Sequence, residues 1–111
     1  MLKTSVKAMN TEIEDAFAAL SIRAKIAVLA RAIHMETIHN RDYPECAERL
    51  YRSSEFVHRL AGFIMSLAYR PDDFQRNETW ASKALIEGVA IHGQIYLTEL
   101  HKWIVEARTV S

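Results

Sequence analysis

An all-α fold, an antiparallel bundle of three to four helices, is what this sequence predicts, and three observations carry the prediction. Glycine and proline are scarce, three and two residues in 111, as they are when most of a chain lies inside helices, where they cost about 1 and 3 kcal/mol relative to alanine. Apolar residues recur at spacings of three and four through long stretches, the period of helices that face a core. Short clusters of turn and capping residues separate those stretches, so successive helices lie side by side.

The length is that of a single helical domain covering residues 1–111. Residues 1–10 read as a tail. The first helix is expected over about 11–38, opened by a capping box from Thr11 to Glu14 in which hydroxyl and carboxylate satisfy each other's backbone amides. Ser21 interrupts this stretch and offers a cap for a second segment, so a break near it is open. Asn40, Arg41 and Asp42 form the next turn. A second helix follows over 43–69, capped by Asp42, with Pro44 in the first turn and Glu45 at the capping-box position. Pro71, Asp72 and Asp73 mark a stop and a fresh start, and Asp72 or Asn77 caps a third helix over 72–108. The sequence leaves open whether 71–77 is helix or loop.

At about 100° per residue, Ile13, Phe17, Leu20, Ala24, Ala27, Met35 and Ile38 share one stripe of the first helix. Ile22, Ile26, Leu29 and Ile33 lie nearly opposite. On the second helix Phe56, Leu60, Phe63 and Leu67 form a stripe beside that of Leu50, Val57, Ala61 and Ile64, while Glu48, Arg52, Glu55 and Arg59 make the solvent face. The third helix aligns Leu85, Val89, Tyr96, Leu100 and Trp103, flanked by Ile86, Leu97 and Ile104. A helix in a monomeric bundle needs one broad apolar stripe. The second stripe on the first helix therefore predicts an interface, formed by Ile22, Ile26, Leu29 and Ile33, through which the bundle is completed or extended by homodimerisation.

Fourteen basic and fourteen acidic side chains cancel, which argues against nucleic acid or an anionic membrane surface as a partner. Cys46 is the single cysteine, so neither an intrachain disulfide nor a cysteine-rich zinc site is expected, and a reducing compartment, the cytoplasm, is the expected location. The N-terminal residues lack the apolar run of a signal peptide, and no stretch reaches the roughly 18 apolar residues of a membrane span.

The sharpest local pattern is His58-Arg59-Leu60-Ala61-Gly62, followed by Leu67. It resembles the signature of histidine phosphotransfer domains, helical bundles in which a surface imidazole relays a phosphoryl group to and from response-regulator aspartates. The resemblance implies that His58 is the nucleophile and that Gly62, one turn on, leaves it uncovered. The ordinary reading is a boundary histidine with a glycine at a helix crossing. Arg52 and His58 also resemble the Arg–His spacing of HEPN-type ribonucleases. Glu36 to His39 and Glu55 to His58 spell two Glu-x-x-His strings, which resemble the ligand pattern of ferritin-like dinuclear iron proteins. In an antiparallel hairpin the two strings stand about 15 Å apart along the axis, too far for one metal centre within a chain. No metal and no cofactor is therefore expected.

His92 and Glu99 on the third helix and Arg31 and His34 on the first interrupt apolar stripes. Buried polar groups require partners, so an Arg31–Glu99 ion pair with His34 or His92 hydrogen-bonded nearby is expected as a buried network. Gly88 and Gly93 suit close helix packing. Cys46 reads as a packed thiol, and Trp80 and Trp103 as anchors of packing or of an interface. The function these features predict is that of a non-enzymatic interaction or regulatory protein whose partners are a second copy of itself and another protein. A phosphotransfer module using His58 and a helical metal-binding protein are the alternatives.

Overall fold

The computed structural model describes the backbone of residues 2–42, 47–92 and 97–110, with side chains over 10–38, 41–42, 54–72, 80–88 and 99–110. Among these residues every regular element is a helix: α1 (Leu2–Ala18), α2 (Ile22–Asp42), α3 (Ala47–Tyr69), α4 (Pro71–His92) and α5 (Leu97–Ala107). The fold is all-α as expected. Five helices exceed three to four because the first and third long periodic stretches each divide in two.

Helix α1 begins at Leu2, so residues 2–10 are helical and not a tail, and Thr11 lies inside the helix, not at its cap. The segment before Thr11 contains no glycine or proline and is rich in Leu, Lys, Ala and Met. Nothing in it stops the helix from running on. The helix closes at its C-terminal end by tightening, with the Leu20 amide donating to the Phe17 carbonyl at 3.1 Å. Ser21 then caps α2: its Oγ accepts from the Ala24 amide at 3.1 Å and its carbonyl accepts from the Lys25 amide at 2.9 Å. The same Oγ donates to the Val110 carbonyl at 3.2 Å, tying the start of α2 to the C-terminal end of the chain.

Asp42 is the last residue of α2 and not the cap of the next helix. Its carboxylate accepts from Arg41 Nε at 3.2 Å. Pro44, Glu45 and Cys46 lie outside the described residues. Between α3 and α4 only Arg70 is non-helical. Its amide donates to the Ser66 carbonyl at 2.8 Å, and Pro71 takes the first position of α4, where its missing N–H is no loss. Residues 71–77 are therefore helix, with neither Asp72 nor Asn77 at the cap. The expected third helix is α4 and α5, separated by residues 93–96, which lie outside the described residues, Gly93 among them.

Helix α2 packs along α3 and α3 along α4, as short connections dictate, while α1 lies against both α4 and α5 and α5 closes on α2. Their shared core gathers Ile13 and Phe17 of α1, Phe56, Leu60 and Leu67 of α3, Leu85 of α4 and Leu100 and Ile104 of α5. These are the stripes read from sequence. Helix α2 is different. Ala24, Val28, Leu29 and Ala32 face the core, whereas Ala27 and Met35, expected inward, are exposed. The three residues between α1 and α2 reset the helical phase, so a stripe extrapolated from Ile13 to Ile38 cannot hold across them. Gly88 on α4 is buried against Phe56 of α3: a Cβ there would stand 2.0 Å from Phe56 Cε1. No helix among the described residues is long and apolar enough to cross a membrane.

Candidate functional site

The expected interface stripe does not survive as one outward surface. Leu29 is fully enclosed in the core, Ile26 and Ile33 are half-buried against it, and Ile22 is 42% exposed. The division of the first stretch makes α2 an element of its own, set against α3 and, less extensively, α5.

The expected buried network is also rearranged. Arg31 pairs with Glu106, not Glu99, through Nη1 to Oε2 at 2.9 Å, and its guanidinium stands 4.7 Å from the centroid of the Trp103 ring. The pair is half-exposed. His34 and Glu99 are exposed, Glu99 lying in the first turn of α5 where a carboxylate suits the helix dipole. The side chain of His92 lies outside the described residues. Sequence reading placed Glu99 and Glu106 on one continuous helix with His92. As a separate element, α5 instead presents Trp103 and Glu106 to α2. Together with Ala27, Val28, Ala107 and Val110 they line an open cleft of about 170 Å³.

Three polar side chains outside the expected buried network are buried: Lys25, Glu36 and Ser82. Each engages a partner within the protein. No local pattern singles out Lys25 and Glu36, because which face of α2 turns inward is decided by the break before it. Glu36 had been read only as part of a Glu-x-x-His string, and its burial separates it from Glu55 and His58, which are exposed on α3. The side chains of His39 and Arg52 lie outside the described residues. Among those described, no three His, Cys, Asp or Glu side chains gather where a metal ion could be held.

The outer face of α3 carries the sequence's sharpest motif together with two of the large exposed apolar side chains. His58 and Gly62 are both exposed. A Cβ at Gly62 would meet no atom within 4 Å, so the ordinary reading of this glycine, a helix crossing within the chain, does not describe it. That role belongs to Gly88. Beyond Gly62 the face continues with Met65, 58% exposed, and Tyr69, 76% exposed. These two, with Gly62, Ser66 and Arg70, border an open depression of about 310 Å³. Trp80 of α4 is a further large exposed side chain, at 65%, whereas Trp103 is buried.

Chemically the α3 face offers an accessible imidazole with no side chain at Gly62, one turn on, and with Met65 and Tyr69 exposed beyond it. No protein-family model matches this chain, and no curated protein or solved structure does.

Proposed function

We propose that this chain is a non-enzymatic helical protein that works through protein–protein contacts, self-associating as a homodimer and in that form serving a regulatory role towards another protein. The observation that carries the reading is the exposure of Met65, Tyr69 and Trp80. Each large apolar side chain left in water forgoes on the order of 1.5 to 3 kcal/mol that burial against a partner would return. The balanced charge favours a protein over nucleic acid or a membrane surface as that partner. Sedimentation across a concentration series is the test. The expected result is a dimer at micromolar concentration that weakens in at least one of Ile22→Asp, Tyr69→Asp and Trp80→Asp. A strict monomer at high micromolar concentration, with size and solubility indifferent to all three, refutes the reading.

A second reading is phosphotransfer through His58. The exposed His58 and the open space over Gly62 support it, since a neutral imidazole nitrogen reachable by a phosphorylated partner is what that chemistry requires. Incubation with a phosphorylated response regulator or a small phosphodonor should leave an acid-labile label that His58→Ala lacks. Absence of label with every donor removes this reading.

A further inference from the structure

Helix α3 carries six exposed positions, Glu55, His58, Arg59, Gly62, Met65 and Tyr69, that fall within about 60° either side of a line through Gly62 when residues are placed at about 100° each. The face is thus a continuous strip about four turns long with a glycine at its midpoint. Glu55, Gly62 and Tyr69 run along its centre; His58 and Met65 lie on one flank and Arg59 and Ser66 on the other. Arg70 extends the second flank, held one turn beyond Ser66 by its amide's hydrogen bond to the Ser66 carbonyl at 2.8 Å. The missing side chain at Gly62, with no atom within 4 Å of where a Cβ would stand, lets another helix backbone approach more closely here than anywhere else on the strip.

We infer that this strip pairs with the same strip of a second copy, the two α3 helices crossing antiparallel at Gly62 about a two-fold axis. The inference rests on the self-association proposed above and names its surface. Charge decides both the occupant and the direction. In an antiparallel pair centred on Gly62, a residue before the glycine meets the residue of its own flank that lies about as far beyond it. Glu55 then meets Tyr69 and Arg70 of the second copy, Arg59 meets Ser66, and His58 meets Met65. Each end of the crossing sets Glu55 between its own Arg59, one turn away, and Arg70 of the other chain, and no like charges stand directly opposite. The parallel pair sets the centre-line residues against their own counterparts, Glu55 on Glu55, which is repulsive.

The antiparallel arrangement is self-complementary, as an isologous interface requires. It also removes the two most exposed apolar side chains of α3 from water: Met65 covers the His58 imidazole, a favourable thioether–aromatic contact, and Tyr69 lies over the Glu55 turn. His58 is thereby enclosed, so the dimer and phosphoryl transfer at His58 are mutually exclusive states of one surface.

Sedimentation equilibrium on the full chain and three charge variants tests the pairing. Glu55→Arg and Arg70→Glu should each raise the dimer dissociation constant by about tenfold or more, because each sets like charges together at both ends. The double variant restores opposite signs and should return it to within a few fold of the parent. Gly62→Leu, which fills the crossing point, should leave a monomer of unchanged helicity by circular dichroism. A dimer indifferent to the single swaps, or a double variant no better than the worse single, overturns the α3 pairing while leaving self-association intact. A strict parent monomer overturns both.

Discussion

Two glycines in the middle of long helices should respond in opposite directions to the same substitution. Gly62 of α3 looks onto open space, whereas at Gly88 of α4 a Cβ would lie 2.0, 2.4 and 2.7 Å from Phe56 Cε1, Cδ1 and Cζ. Alanine at either site gains the same intrinsic helix propensity, about 1 kcal/mol. That gain stands alone at Gly62, so Gly62→Ala should stabilise the monomer by up to about 1 kcal/mol. At Gly88 the added carbon needs roughly 3.5 to 4 Å from the ring, so Phe56 must retreat by about 1.5 Å. The ring is buried among core side chains, and such overpacking costs typically about 1 to 3 kcal/mol. Gly88→Ala should therefore be neutral to destabilising by about 2 kcal/mol.

The difference between the two variants cancels the propensity gain and isolates the packing cost, about 1 to 3 kcal/mol in favour of Gly62→Ala. Urea unfolding followed by circular dichroism at low protein concentration, with the denaturant slope checked for constancy, measures it. Adding Phe56→Leu to Gly88→Ala should cost less than the two single changes summed, since a shorter side chain makes room for the new carbon. Equal stabilisation by the two alanines would refute the close approach of α3 and α4 at this point.

The phase of α2 gives a second prediction. Leu29→Ala should cost about 2 to 5 kcal/mol, as for a core leucine, while Ile22→Ala, at an exposed position, should change unfolding free energy by less than about 0.5 kcal/mol. The same urea titrations read both, and a reversed order would mean that α2 turns its other face inward. Ser21 gives a third. Ser21→Ala removes both the cap on Ala24 and the donor to Val110 and should cost about 1 kcal/mol. Ser21→Asp keeps an acceptor for the cap but has no donor, so it should recover stability while amide exchange over residues 108–110 stays fast. Fast exchange at Ala24 in Ser21→Asp would contradict the capping geometry.

What could be read from the sequence is local. The helical state of α3 and α4, the stop at Pro71, the capping potential of Ser21 and the core stripes of Phe56, Leu60 and Leu67 and of Leu100, Trp103 and Ile104 all follow from backbone preferences and helical period. Each depends on residues within a turn or two of one another. The exposed position of His58 at the edge of the solvent face was legible for the same reason, because it lies on a single unbroken helix.

Where the chain turns, that reasoning loses its reference. Helical phase accumulates at about 100° per residue, so three residues between α1 and α2 were enough to carry Leu29 from an expected outer stripe into the core and Ala27 and Met35 the other way. The partner of Arg31 changed for a related reason. Glu99 and Glu106 are both acidic and two turns apart, and sequence alone ranks them by their place on an assumed straight helix. Only the placement of α5 against α2 brings Trp103 and Glu106 to the guanidinium and leaves Glu99 in water. Sequence by itself determined that this protein is helical and which stripes of α1, α3, α4 and α5 are buried, because period and propensity act within one element. Tertiary structure decided which face of α2 is core, which acid meets Arg31 and that Gly88 is packed against Phe56 while Gly62 is left open, because each depends on how separate helices are set against one another.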